Sequence, residues 1–267
     1  MRIKKKFNIL SNNFIALRNY HGKRTTLSNK PSYIWIEPTN NCNLKCIMCP
    51  TGTGMVDVDK GFMDFTLYKR IIDEISDYAS AVTLAISGES LLHSDFFKMI
   101  EYASSNGTKV LLNTNATLLT KEKADLLLDS GLSEVSFAFD GIKKSMYEKA
   151  RVGANYEKTL NNILYFLKQK KNKKIKIPYS ILSILELEIE NYNEEEKTAF
   201  LRPFEGLIDE IRLREVSTWG STLRTQMNSL IETTVMFTVH ARDSGARHAL
   251  PGMAMSFPAF IMPTMNT

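Results

Sequence analysis

Cys42, Cys46 and Cys49 are the only cysteines among 267 residues, and they stand together as Cys-x3-Cys-x2-Cys in Asn40-Asn41-Cys42-Asn43-Leu44-Lys45-Cys46-Ile47-Met48-Cys49-Pro50. Three thiolates on one short loop can hold three irons of a [4Fe–4S] cluster and leave the fourth iron without a protein ligand. An open iron gives a substrate or cofactor a place to bind, so such a cluster can do chemistry beyond electron transfer. Zinc is the competing reading. A structural zinc site needs four ligands and a catalytic one usually mixes in histidine. The nearest histidines, His21 and His93, are not at ligand spacing. A chance grouping of buried thiols is the third reading.

Positioning such a loop takes regular elements around it. Tyr33–Ile36 is a β-rich run that ends just before the cysteines. Residues 65–78 carry Leu67, Ile71, Ile72 and Ile75 at helical spacing, with Thr66 as the expected N-cap. A strand is predicted over residues 81–86, a helix from about Ser94, a strand over 109–112 and a helix capped at Thr120. Residues 134–139 read as a fourth strand and 156–170 as a long helix. Residues 175–184 and 210–214 read as further strands, separated by a helix near 194–204. Strands alternating with helices imply βαβ units and a parallel sheet, whose carboxyl ends collect reactive groups. Periodicity alone leaves a partial (β/α)6 barrel and a doubly wound sheet both open.

Composition narrows the setting. An apolar fraction of 43% and a charged fraction of 24% belong to an ordinary soluble globular protein. The length suits one sizeable domain with appendages. No run of 18 or more apolar residues is present, so no transmembrane helix is expected. Three clustered thiols argue for a reducing compartment, and the lysine-rich start is unlike a secretory signal, so a cytoplasmic location is expected.

Charge is uneven. Residues 1–30 hold eight Lys and Arg and no acid, so the rest of the chain carries −3 of a net +5. Within this basic leader (residues 1–31) Phe7, Leu10, Phe14 and Leu17 recur at helical spacing. A basic amphipathic helix can touch RNA, an acidic peptide or an anionic membrane; the preferred expectation is a solvated helix that caps the bottom of the fold. At the other end, all 23 lysines precede position 198 and no Glu follows Glu232. Residues 221–267 have scattered Met and Pro without a period, which reads as a loosely ordered tail of truncated or frame-shifted origin.

The cysteine spacing with Met48 resembles the radical S-adenosylmethionine (radical SAM) superfamily, and the resemblance extends to four further segments. Ser87-Gly88-Glu89-Ser90-Leu91-Leu92-His93 is similar to the family's Gly-Gly-Glu-Pro-Leu-Leu-His, with Ser87 and Ser90 as departures. Asn113-Thr114-Asn115-Ala116-Thr117-Leu118-Leu119-Thr120 is similar to Thr-Asn-Gly-Thr-Leu-Leu, with Ala116 in the glycine place. Ser136-Phe137-Ala138-Phe139-Asp140-Gly141 resembles Ser-x-Asp-Gly with a longer separation, and Tyr147-Glu148-Lys149-Ala150-Arg151 matches Tyr-x-x-x-Arg.

The resemblance implies an α/β fold, a partial (β/α)6 TIM-like barrel over residues 32–220. It implies that Cys42, Cys46 and Cys49 hold a [4Fe–4S] cluster. It assigns S-adenosyl-L-methionine to Gly88, Glu89, Asn115, Ser136, Asp140 and Arg151: Gly88 and Glu89 at its amino group, Asn115 near the nucleoside, Ser136 in contact with the cofactor and Arg151 forked on its carboxylate. Asp140 is expected to serve the ribose or the substrate, or to cap the turn that follows. The implied activity is reductive cleavage of the cofactor to a 5′-deoxyadenosyl radical that takes hydrogen from an unknown substrate, with a peptide as the lean and no residue assigned to the catalytic step. An electron donor such as flavodoxin or ferredoxin is implied, and nucleic acid is not expected. Members with SPASM or twitch extensions are closest in style, but no cysteine follows Cys49 to bind an auxiliary cluster. A catalytically inactive fragment and a zinc-stabilised nucleic-acid-binding module are the alternatives.

Overall fold

β-branched and aromatic runs alternate with amphipathic stretches, and the result is one parallel sheet wrapped by helices. The structure, a computed structural model, describes residues 2–56, 58–185 and 192–214. Helix α1 (Arg2–His21) precedes β1 (Tyr33–Ile36), and the cysteine loop contains the two-residue strand β2 (Lys45–Cys46). Next come α2 (Phe65–Ile75), β3 (Ala81–Leu84), α3 (Phe96–Ser105), β4 (Lys109–Thr114), α4 (Lys121–Asp129) and β5 (Glu134–Ala138). The chain continues with α5 (Lys144–Ala150), β6 (Arg151–Val152), α6 (Tyr156–Asn172), β7 (Tyr179–Leu185), α7 (Glu194–Leu201) and β8 (Glu210–Arg214).

The six-stranded sheet has the order β1-β3-β4-β5-β7-β8, and every neighbouring pair is parallel. Every crossover therefore steps in the same direction. A doubly wound sheet reverses direction at a switch point; this one does not, and the partial (β/α)6 barrel is the fold. All four residues of β3 are buried, as expected for a strand covered on both faces. Aromatic side chains complete the wall: Phe137 meets Phe166 edge-on at 5.3 Å, and Phe139 stacks on Tyr147 at 4.4 Å. Each such fully buried side chain contributes roughly 1.5–3 kcal/mol by removal from water.

Some local signals held and others shifted: the strand expected over 81–86 ends at Leu84, and the one expected over 175–184 begins only at Tyr179. Thr120 caps α4, its side chain accepting from Lys123 N, as its position predicts. Thr66 does not cap α2. Asp64 does, because its backbone is extended and its carboxylate accepts from Leu67 N at 3.0 Å, which leaves Thr66 inside the first turn.

The bottom of the barrel, at the amino ends of the strands, is closed by polar bonds. α1 lies across it: Asn12 Nδ2 donates to Lys30 O at 3.0 Å and Tyr78 O at 3.4 Å, while its Oδ1 accepts from Lys30 N at 2.9 Å. Asn13 bonds Ser80 Oγ and Ser32 Oγ, and Lys5 Nζ donates to Asn106 O. Farther along the same end, Asp209 Oδ2 accepts from Ser180 N at 2.7 Å, from Ser180 Oγ at 2.5 Å and from Lys170 Nζ. The expected tail over 221–267 lies outside the described residues.

Candidate functional site

The cysteine loop leaves β1 at the carboxyl end of the sheet and is held there by its neighbours. Glu37 Oε1 accepts from Ser87 N at 2.7 Å and from the Ser87 hydroxyl, so the serine in the first glycine place ties the end of β1 to the end of β3. Glu89 N donates to Asn41 O at 2.8 Å. Between these bonds a Cβ on Gly88 would lie 2.0 Å from Thr39 O and 2.7 Å from Asn41 O. The sequence suggested that this glycine admits a ligand, but the backbone it admits is the segment leading to Cys42. Ser90, in the proline place, donates to Leu84 O at 2.7 Å.

On the other side the loop pairs with a strand that the sequence did not reveal. Cys46 lies opposite Arg151 in the antiparallel β2–β6 ladder, and Ile47 N donates to Ala150 O at 3.0 Å. A Cβ on Gly52 would lie 2.7 Å from both the N and O of Cys46, so the return of the loop over its own cysteine depends on this glycine.

All three thiols line one cavity of about 420 Å³, within the range of small-molecule sites. Gly88, Glu89, Asn115, Asp140 and Arg151 line it too. Ser136 does not. It is buried in β5, two residues before Ala138, and since side chains on a strand repeat every two residues it sits one layer deeper. Ala138 stands in the cavity wall instead, which is where the longer Ser136–Asp140 spacing leads.

Glu89 is buried and well bonded. Its Oε1 accepts from Thr114 Oγ1 at 2.8 Å and Leu91 N at 3.2 Å, and Oε2 accepts from Asn115 N at 2.9 Å. Burial pushes its pKa up, against the opposing pull of these donors and of Arg151. The Asn115 side chain closes the turn by accepting from Thr117 N and Thr117 Oγ1, and its Nδ2 donates to Asn43 Oδ1 at 3.2 Å on the cysteine loop. Ala116 adopts φ +58, so the left-handed turn of the family's glycine is kept at the usual cost of a Cβ.

Arg151 is buried, not exposed at a helix end, and its partner is Asp140. Nη2 stands 2.5 Å from Asp140 Oδ2, while Asp140 Oδ1 accepts from Leu185 N at 3.0 Å across to β7. Arg151 Nε, on the same guanidinium, has no hydrogen-bond partner among the described residues. Burial pulls the guanidinium pKa down, but Asp140 and the Cys46 sulfur outweigh it and lift the value. Arg214, at the end of β8, lines the same cavity and was missed. Nothing in its local sequence separates it from any arginine that ends a strand.

Burial also raises the Cys42 thiol and lifts Cys46 to about 11, with Arg151 opposing the latter. Such thiols lose protons when metal binds. Among the described residues no three Cys, His, Asp or Glu side chains converge on a single ion. Thiolates that each hold a different iron need not converge, so the three sulfurs sharing one cavity fit a cluster.

Comparison with known proteins bears on the whole site. The family model described as the Radical SAM superfamily matches residues 36–200. The chain is similar to an AdoMet-dependent heme synthase of Methanosarcina barkeri, 31% identical over 138 residues that cover 51% of this chain and 39% of that protein. It is also similar to a PqqA peptide cyclase of Bradyrhizobium diazoefficiens, 26% identical over 121 residues, 45% of this chain and 31% of that protein. The chain thus spans well under half the length of these relatives. The solved structure of Streptococcus suis SuiB bound to precursor peptide SuiA shares the fold at a TM-score of 0.60 and 16% identity, over 78% of this chain and 44% of that one.

Proposed function

This chain belongs to the radical SAM superfamily, and we propose that it generates a 5′-deoxyadenosyl radical from S-adenosylmethionine to abstract hydrogen from a substrate at the barrel mouth. The observation that carries the reading is one cavity, at the carboxyl ends of the strands, lined by all three thiols and by a buried arginine with a free donor. When bound, a [4Fe–4S] cluster and S-adenosylmethionine supply the one-electron reduction and the hydrogen-abstracting carbon.

The chain's own residues hold and orient. Cys42, Cys46 and Cys49 are the cluster ligands. Asp140 takes one side of the Arg151 guanidinium and aims it, leaving Nε to donate to the methionine carboxylate. Glu89 spends both acceptor sites of Oε1 on the protein and only one of Oε2, which leaves room for an ammonium group. Gly88 and Asn115 position: Gly88 seats the cysteine segment, and Asn115 ties the β4 turn to Asn43. Ser136 has no direct role in this account.

Arg214, at the β8 rim of the cavity, offers a cation to an anionic group of the substrate. A peptide remains the lean, supported by the peptide-cyclase relative. The basic leader does not present it, because α1 lies at the other end of the barrel. Dithionite-reduced, anaerobically reconstituted protein should release 5′-deoxyadenosine from S-adenosylmethionine, and Cys46→Ala should not. Equal release from both proteins, or none from either when cluster is present, would refute the reading.

A further inference from the structure

Helix α1 is mounted the wrong way round for a helix that serves the core. Amphipathic helices bury their apolar stripe. Here the most buried side chains are polar: Asn12 and Asn19 are 9% and 1% exposed, Asn19 Nδ2 donates to Asn29 Oδ1 at 2.8 Å, and the apolar Ile9, Ile15 and Ala16 beside them are only half-buried. The apolar stripe points outward, with Phe7 71%, Leu10 67% and Phe14 68% exposed, and Leu17 also exposed. Lys4, Lys6 and Arg18 are exposed on the same helix, and Lys23 and Arg24 just beyond it.

We propose that this face docks the protein on an anionic lipid bilayer, with α1 lying in the plane of the interface. Charge complementarity selects the occupant. Residues 1–30 carry eight cationic side chains and no acid, whereas the rest of the chain is net negative. A second copy would set the same positive charge against itself. RNA would satisfy the cations but leave a row of phenylalanine and leucine without use. An acidic lipid surface takes both, because acyl chains receive the apolar stripe while the headgroups receive lysine and arginine. No described helix is long and apolar enough to cross a membrane, so the contact is peripheral. Since α1 covers the amino ends of β1, β3 and β4 while the cavity opens at their carboxyl ends, the docked protein keeps its cavity toward water.

The test is co-sedimentation of the full chain with vesicles of phosphatidylcholine and phosphatidylglycerol, and with phosphatidylcholine alone. Binding is expected to the anionic vesicles, to weaken as salt rises, and to be far weaker on neutral ones. Phe7→Ser and Phe14→Ser should each lower the partition by about tenfold, the scale of burying a large apolar side chain. Both side chains are exposed, so thermal unfolding should not change and reports on folding independently. Failure to pellet with anionic vesicles would overturn the proposal. So would serine variants that bind as well as the parent, which would reduce the effect to charge. RNA binding without vesicle binding, or a dimer dissociated by Phe14→Ser in the ultracentrifuge, would assign the face to another occupant and overturn it equally. None of these outcomes depends on cluster chemistry.

Discussion

Two ion pairs sit at opposite ends of this barrel and are built differently: Arg151 and Asp140 are both buried, whereas of Lys170 and Asp209 only the lysine is. At the base, Lys170 and Asp209 are joined by both the backbone and the hydroxyl of Ser180, so Asp209 Oδ2 accepts three bonds. At the mouth, Arg151 Nη2 and Asp140 Oδ2 are ion-paired, yet among the described residues Arg151 Nε is left without a hydrogen-bond partner. Leaving a buried polar group unpaired costs about 1–3 kcal/mol. The base pair completes its own bonding and locks α6 to the strand ends. The mouth pair retains bonding capacity where a ligand can use it. One end commits its ionic chemistry to stability; under the proposed function the other keeps it for binding.

The comparison breaks first at the base. Asp209→Asn should cost about 2–3 kcal/mol in chemical denaturation, less than a pair buried on both sides would, because Lys170 stays buried without its counter-charge while Asp209 itself faces solvent. Burial alone would raise the Asp209 pKa, but the bonds from Lys170 and Ser180 outweigh it and hold the value below the ordinary carboxylate range. The stability it contributes is therefore present above the unfolded carboxylate pKa and is lost as pH falls through the depressed folded value. The Asn variant should lack that acid-side loss.

Gly88→Ala comes next, at about 1–3 kcal/mol in the same measurement, since the new methyl meets the carbonyl of Thr39. At the mouth the double change Arg151→Met with Asp140→Asn, which keeps an acceptor for Leu185 N, should show the contrast: stability within about 1 kcal/mol of the parent, but S-adenosylmethionine affinity down about tenfold or more by equilibrium dialysis. A matching loss of several kcal/mol there would mean that the two pairs do the same job. The smallest effect is expected from Ser136→Ala, with affinity within about twofold, because Ser136 lies below the cavity wall and not in it.

Much of the barrel could be read in advance, for identifiable reasons. β1 and β8 lie where their runs Tyr33–Ile36 and Glu210–Arg214 place them, since those runs are bounded by turns and breakers. β2 and β6 are two residues each and carry no period, so the ladder that sets Cys46 against Arg151 had no sequence signal. Gly88 and Glu89 were legible as residue types, but which backbone would crowd the glycine, and how many donors would reach the glutamate, depends on loops brought together by the sheet. Arg151 was found by spacing; its burial and its pairing with Asp140 were not. The stripe of α1 was visible as a period, but a period cannot say whether the protein or something outside it covers the stripe.

In the proposed function the three thiols hold a four-iron cluster with one iron open to S-adenosylmethionine. Iron and acid-labile sulfide analysis of anaerobically reconstituted protein, with electron paramagnetic resonance of the reduced state, tests it directly. About four irons and four sulfides per chain are expected, with a spectrum that changes when S-adenosylmethionine is added and with iron lost in Cys42→Ala, Cys46→Ala or Cys49→Ala. One zinc per chain without sulfide, or a cluster whose spectrum S-adenosylmethionine leaves unchanged, would contradict it.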